Sequence, residues 1–349
     1  MDGQILPHDA YYMGLAIALA KKGEFTTRPN PAVGCVLVKD GRIIGEGFHP
    51  KAGEPHAEVF ALRHANQQGY DVTGATAYVT LEPCSHTGRT PPCADTLVQA
   101  GIARVVIACT DSNPKVSGGG IAKLQQAGIA VTVGVAHQQA AALNRGFLKA
   151  MATGMPYVRL KIATSLDGKV AMANGESKWI TGDEAREDVQ KLRAKSAAII
   201  TGSGTIIADN PSLTVRSTQL GVPACHVPSP KIVVLDRSKT LSRSMDYQVF
   251  CNPDTMIWHQ DIHSLLALLV QEHQCHDVLV EAGAKVAGAF IEADLVDELI
   301  VYQAPSILGA KAVSMFDFDV GRLDNQRRFT LSEMTKIGED VKLVYHKLY

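Results

Sequence analysis

Apolar positions along this chain fall into two registers, one with helical spacing and one alternating, and the register switches repeatedly from end to end. Over residues 9–22, Tyr12, Leu15, Ala16 and Leu19 recur at helical spacing, and Gly23 supplies a stop. Residues 33–38 read as a strand. Asp40-Gly41 signals a tight turn, and residues 42–48 return as the partner strand. The pattern then predicts a helix over about 56–68, a strand over 76–81, a helix over 93–100 closed by Gly101, and a strand over 104–109. Helix over 121–127, strand over 129–135 and one helical stretch from 137 to about 152 follow. Such alternation predicts a sheet sandwiched by helices.

Gly154 and Pro156 interrupt the pattern, and the domain boundary is placed there, giving domains over 1–150 and 151–349. The second half restarts with an apolar strand over 157–162. It continues with a helix over 183–195 and strands over 197–201, 231–235, 278–280 and 299–302. Residues 265–272 and 286–292 carry helical spacing. This reads as a second α/β domain. Residues 223–230 (PACHVPSP) are the one loop-like stretch with a shifted composition, and no repeat relates the halves.

With 349 residues the chain has the length of two domains, and each half can bury its own core. The formal net charge of −1 argues against a large nucleic-acid footprint, which requires a basic excess. It leaves room for a small phosphorylated ligand held by one or two arginines. Seven cysteines, an odd and low number for the length, imply no disulfide framework. Cys35 and Cys109 lie in apolar runs and read as small core residues. The first ten residues carry no secretory pattern, and no apolar run reaches the length of a membrane span. A reducing cytoplasm is the expected compartment.

Candidate chemistry is concentrated in the first third. His56-Ala57-Glu58 is followed by Pro83-Cys84 and Pro92-Cys93. One imidazole and two thiolates suit Zn²⁺ and leave its fourth tetrahedral position open, as catalytic sites do. The H-x-E…P-C-x-x-C pattern marks zinc-dependent base deaminases. This chain departs from it by placing eight residues, 85–92, between the cysteines. Prolines put His56 and Cys93 at helix starts, where exposed N–H groups favour thiolate. Glu58 is two residues from His56 and so on another helix face. It is expected to move protons rather than bind metal. The alternative is a closed structural site, with His49 or His86 as the fourth ligand. Asn30, between two prolines, could hydrogen-bond a flat heterocycle or simply make the turn. Asp111-Ser112-Asn113-Pro114 could contact substrate or be a plain turn.

These residues and their neighbours carry a resemblance. Thr27-Arg28-Pro29-Asn30-Pro31, Val33-Gly34-Cys35, Gly53-Glu54-Pro55-His56-Ala57-Glu58, Thr80-Leu81-Glu82-Pro83-Cys84 and Gly88-Arg89-Thr90-Pro91-Pro92-Cys93 resemble the bifunctional deaminase–reductase family of bacterial riboflavin biosynthesis. The long spacing between the cysteines is typical of that family. In the second half, Lys161 to Gly168 (KIATSLDG), Trp179-Ile180-Thr181, Asn210 to Arg216 (NPSLTVR) and Glu281-Ala282-Gly283 resemble its reductase domain. The resemblance implies a cytidine-deaminase-like three-layer α/β/α domain, then a dihydrofolate-reductase-like α/β domain. It implies zinc and NADPH as cofactors. The implied reactions are deamination of 2,5-diamino-6-ribosylamino-4(3H)-pyrimidinone 5′-phosphate and then reduction of its ribosyl side chain to ribityl. Two other readings are a nucleoside or tRNA base deaminase with an appended domain, and a zinc-binding scaffold without activity. The expected assembly is a homo-oligomer, dimer or tetramer, with no nucleic-acid or membrane partner.

The resemblance carries cofactor contacts to Ala163, Trp179, Thr205 and Asp209, and substrate contacts to Ser177, Arg193, Leu213, Arg216 and Glu281. Residues 278–283 read as a buried strand ending in a Gly turn before a helix, a place where backbone can approach a phosphate. The segment resembles the family's cofactor loop, and the resemblance makes Gly283, Ala284, Lys285, Val286, Ala287, Gly288 and Ala289 the dinucleotide candidates; a bare strand-turn-helix is the alternative. A second Gly-rich segment, 201–205, also follows a strand. The guanidinium forks of Arg193 and Arg216 match a phosphate; a solvated helix face is the alternative for Arg193. Lys161 and Asp209 are candidate polar groups near the reacting carbon. Arg237 stands where relatives often carry a small hydroxyl residue; it could reach the 2′-phosphate of NADPH or point to water.

Overall fold

In a computed structural model of the full chain, residues 4–85, 91–113 and 117–348 are described. Contacts divide the chain into two compact units, Met1–Gly154 and Met155–Tyr349. Among the described residues no helix is long and apolar enough to cross a membrane.

The first unit runs α1 (Asp9–Lys21), β1 (Gly34–Lys39), β2 (Arg42–Phe48), α2 (Ala57–Gln67), β3 (Thr76–Leu81), α3 (Cys93–Gln99), β4 (Arg104–Cys109), α4 (Gly119–Gln126), β5 (Ala130–Val133), α5 (His137–Leu143) and α6 (Arg145–Thr153). Its five strands lie in the order β2-β1-β3-β4-β5, antiparallel across β2-β1-β3 and parallel from β3 to β5. Alternation along each strand sends side chains to opposite faces. Cys35 and Leu37 of β1 join Val105 and Ile107 of β4 beneath α2, α3 and α4. Val36 and Val38 join Val106 and Ala108 beneath α1 and α5. Two cores on one sheet make three layers.

The second unit runs β6 (Tyr157–Thr164), β7 (Lys169–Ala171), α7 (Asp183–Lys195), β8 (Ala198–Gly202), α8 (Ser203–Asp209), β9 (Lys231–Leu235), β10 (Met256–Trp258), α9 (Ile262–Gln271) and β11 (Asp277–Glu281). It then runs α10 (Ala284–Glu292), β12 (Glu298–Gln303), β13 (Val313–Ser314), β14 (Phe329–Ile337) and β15 (Asp340–Lys347). Eight strands form one sheet in the order β10-β9-β8-β11-β6-β12-β15-β14. The run from β10 to β12 is parallel, and the β14–β15 hairpin closes the edge antiparallel. Parallel strands covered on both faces bury continuous apolar runs, and Ala198, Ile199 and Ile200 of β8 are all 0% exposed.

Several features differ from the sequence expectation, among them the short strands β7, β10 and β13, which it did not include. The single helix over 137–152 is two helices, broken at Asn144. That side chain accepts from the Ala32 N–H (2.8 Å) and donates to the Ala32 carbonyl (2.9 Å), so its backbone leaves helical geometry to reach β1's approach segment. The Gly-rich segment after β8 winds into a short helix, α8. The β14–β15 hairpin was not anticipated.

The helix carrying Glu58 lies hard against β2. A Cβ at Gly47 would stand 2.4 Å from both the Ala57 carbonyl oxygen and the Ala61 nitrogen. Gly47→Ala must therefore push α2 off the sheet. The expected loss is about 3 kcal/mol of stability, read from urea unfolding of the full chain; an unchanged midpoint would contradict this packing.

Candidate functional sites

His56 is the residue just before α2, in extended geometry, Cys84 follows β3, and Cys93 opens α3. The fold gathers one donor atom from each within 4.8 Å of one another. His56 Nδ1 is 3.2 Å from Cys93 Sγ and 3.7 Å from Cys84 Sγ. Around a tetrahedral zinc with ordinary bond lengths, nitrogen and sulfur stand about 3.6 Å apart, so the donors fit that ion. The Cys93 N–H donates to Cys84 Sγ (3.3 Å), and the Ala94 N–H to the Cys84 carbonyl (3.2 Å).

Electrostatics agree with a cation site. A hydrogen bond from the Cys93 thiol, with help from His56, brings Cys84 down to about 4 against the effect of burial. Cys93 is raised in turn, first by the Cys84 sulfur beside it and then by burial. Glu58, in the first turn of α2, is 3% exposed, and its Oε2 has no hydrogen-bond partner. Burial raises its carboxyl above the ordinary range, with His56 working the other way. A buried carboxylate oxygen without a partner, beside three metal-binding donors, has the chemistry to accept and return a proton.

His49 is not a fourth ligand. Its Nε2 lies 3.1 Å from Asn30 Nδ2 and its Nδ1 lies 3.0 Å from the Pro55 carbonyl, so both ring nitrogens are engaged. His86 lies outside the described residues, as do Gly88, Arg89 and Thr90. Asn30 is brought to the site through His49, a link not anticipated from sequence. The Asp111 carboxylate accepts the Asn113 N–H (2.7 Å), in accord with the turn reading; Pro114 is outside the described residues.

The second unit carries a cavity of about 1620 Å³ along the carboxyl ends of its parallel strands, where ligands bind in open α/β sheets. Lys161 and Ala163 of β6 line it, with Ser177 and Trp179 from the following loop and Arg193 from α7. Thr205 and Asp209 of α8 face it, as do Leu213, Arg216, Arg237 and Glu281. From the Gly turn and α10 come Gly283, Ala284, Lys285, Val286 and Ala289. Ala287 and Gly288 are a correction. They sit on the buried side of α10, Ala287 in the core, and a Cβ at Gly288 would lie 2.6 Å from the Asp317 carbonyl oxygen.

The solvated-face alternative for Arg193 is a second correction: its guanidinium is held against Glu281 and the Thr214 carbonyl on the wall of the cavity. Nε and Nη2 donate to the two oxygens of Glu281 (2.7 and 2.9 Å), and Nη1 to the Thr214 carbonyl (3.2 Å). Arg216 is the less engaged cation, touching Ser212 Oγ at 3.2 Å. Burial lowers the Lys161 ammonium from its ordinary value; Glu281 opposes this and Arg193 adds to it. Asp209 accepts from the Ser177 hydroxyl (3.1 Å). Trp179 is 69% exposed, with the Arg186 guanidinium 4.5 Å from its ring centroid. Asp236 was missed in the sequence. Fully buried, it accepts from Leu241 N–H (2.8 Å) and the Thr240 hydroxyl (2.9 Å), pinning the loop that presents Arg237.

Burial is the largest single influence on Glu281 and works to raise it, but the Arg193 charge, its hydrogen bonds and the Lys161 charge together outweigh it and hold the carboxyl below its ordinary 4.5. The stabilisation is complete above that value and drains away as pH falls through the lowered one. Arg193→Ala should cost about 3 kcal/mol near neutral pH and flatten the acid-side decline in stability. Urea midpoints across that range check both; wild-type midpoints would refute the pair's importance.

Comparison with known proteins places both halves. Residues 6–109 match the cytidine and deoxycytidylate deaminase zinc-binding region, and residues 156–343 match the RibD C-terminal domain. Riboflavin biosynthesis protein RibD of Escherichia coli (strain K12) is 47% identical, over 96% of this chain and 98% of that protein. Its counterpart in Haemophilus influenzae is 46% identical, over 97% of each. Among solved structures, Acinetobacter baumannii RibD superposes with a TM-score of 0.91 at 49% identity, covering 98% of this chain and 99% of that one. A diaminohydroxyphosphoribosylaminopyrimidine deaminase/5-amino-6-(5-phosphoribosylamino)uracil reductase from Thermotoga maritima does so with 0.88 at 36% identity, over 97% and 99%. Both α/β units are thus matched in one order along whole relatives, and the chain belongs to the RibD family of riboflavin biosynthesis.

Proposed function

We propose that the first unit, taken as the deaminase domain over 1–150, removes the 2-amino group of 2,5-diamino-6-ribosylamino-4(3H)-pyrimidinone 5′-phosphate. The second, over 151–349, reduces the ribosyl side chain with NADPH to give 5-amino-6-ribitylaminouracil 5′-phosphate. The carrying observation is the donor cluster of His56, Cys84 and Cys93 beside the unpartnered Glu58 Oε2. Zinc held by those three residues supplies the Lewis acidity that makes water a nucleophile at neutral pH. Glu58 takes a proton from the attacking water and delivers it to the departing amine, which leaves as ammonia. A carboxyl raised by burial serves both halves of that transfer. Asn30, steered by His49, orients the heterocycle.

In the second unit NADPH supplies the hydride. The Gly283–Val286 turn and Ala289, with Ala163, Trp179 and Thr205, bind the cofactor, and Arg237 faces its 2′-phosphate. Arg216 holds the substrate phosphate, with Leu213 and Ser177 beside it and Asp209 fixing the Ser177 hydroxyl. Lys161, its ammonium lowered by burial, donates a proton to the ribose ring oxygen as the C1′–O bond breaks to leave an iminium whose C1′ accepts the hydride, and the Arg193–Glu281 pair sets its field. The enzyme acts in the cytoplasm as a homo-oligomer.

Supplying the pyrimidinone phosphate with and without NADPH, and identifying products by mass, tests the sequence of steps. Without NADPH the product should be the deaminated ribosyl compound alone. Glu58→Gln should retain zinc and lose deamination by about a thousandfold, with reduction of pre-deaminated substrate intact. Loss of both activities in a folded variant would refute separate sites. Arg216→Ala should raise KM for the phosphorylated substrate about tenfold or more and leave a dephosphorylated analogue unaffected; equal effects on both would exclude the phosphate role.

A further inference from the structure

Glu82 ends the β3 segment two residues before Cys84 and is 4% exposed. Its carboxylate points away from the donor cluster's chemistry and into backbone. Oε2 accepts the N–H groups of Asp111 (3.2 Å) and Gly118 (3.1 Å); Oε1 accepts those of Gly120 (3.0 Å) and Ile121 (3.3 Å). The Glu82 N–H itself donates to the Cys109 carbonyl (2.8 Å). Three of the four donors belong to the start of α4, and the fourth lies just beyond β4.

The contact is as tight from the other side. A Cβ at Gly120 would lie 1.9 Å from the Pro83 carbonyl oxygen, and one at Gly119 would lie 2.7 Å from Ser85 Oγ. The beginning of α4 therefore rests on the peptide of residues 83–85, with Glu82 tying it down. We propose that Glu82 is a positioning residue for the metal centre: by binding the start of α4 and the segment after β4, it fixes Cys84 where its sulfur meets His56 Nδ1. The inference rests on the zinc reading given above.

A carboxylate offers about four acceptor sites and no donor, which matches four converging N–H groups. An amide of the same shape keeps one acceptor oxygen and turns N–H groups onto the other donors. Glu82→Gln should thus loosen the Cys84 segment without touching the ligands or Glu58. Zinc-loaded full-length chain is mixed with a chromophoric chelator and zinc release is followed by absorbance. Glu82→Gln and Glu82→Ala should release zinc about 10- to 100-fold faster than wild type. Deaminase activity should be regained in excess zinc, and NADPH-dependent reduction of deaminated substrate should be unchanged throughout. Wild-type release rates in both variants would overturn the proposal. So would a Glu82→Gln chain whose first unit no longer unfolds cooperatively, since the carboxylate would then be a folding element. A wild-type chain that takes up no zinc would sink the metal reading, and this inference with it.

Discussion

Everything at the first site follows from the need to bring one ring nitrogen and two sulfurs, from three separate stretches of chain, to the spacing of a tetrahedron. Such a cluster cannot ionise throughout: the Cys93 hydrogen bond lowers Cys84 while the groups around it are raised. Glu58 is raised mainly by burial, Cys93 by its neighbour Cys84 and by burial, and Cys35 beneath them by burial and then by Glu58. Buried groups of one sign cannot all carry charge in a poorly solvating interior. A divalent cation relieves that conflict, which couples metal uptake to thiol ionisation and proton release. In the same crowded interior Glu58 Oε2 is left without a partner.

The two units handle buried charge in opposite ways. In the first, one oxygen of the Glu58 carboxyl is left without a partner, and burial raises the group. In the second, Glu281 is saturated by a bidentate guanidinium, and the group left perturbed is the Lys161 ammonium. Pairs of titratable groups driven apart by their surroundings are how one chain runs different acid–base chemistry near neutral pH. Here both sites achieve it with side chains that their own strands or helix starts hold in place.

What was legible in the sequence is what depends on local order. Strands β2, β3, β4 and β9 and helix α7 coincide with the alternation and spacing of their own residues. The three metal ligands stood out because prolines and helix starts set them locally. Contacts between distant segments left no such trace. Arg193 and Glu281 are 88 positions apart, and nothing near either announces the other. Asn144 breaks a helix to serve Ala32, 112 positions earlier. Ala287 and Gly288 belong to the cofactor turn by sequence, but helical periodicity carries them to the buried face. The β14–β15 hairpin was readable: Gly338-Glu339 sits between two alternating runs, and Ile337 pairs with Asp340 across it.

The eight-residue separation of the two cysteines, at odds with the short spacing of the general deaminase pattern, has a physical account in how the ends of that loop are pinned. Lengthening a closed loop from two residues to eight costs only about 1 kcal/mol of closure entropy. Cys84 recovers as much from bonds that do not depend on what lies between. The Cys93 N–H reaches its sulfur and the Ala94 N–H its carbonyl, so the start of α3 grips Cys84 as a short motif would. A backbone bond of this kind contributes about 1 kcal/mol. On the other side of Cys84, Glu82 and the start of α4 hold the entering strand end. With both ends fixed by helix starts, the spacing of Cys84 and Cys93 rests on bonds that do not pass through the residues between them.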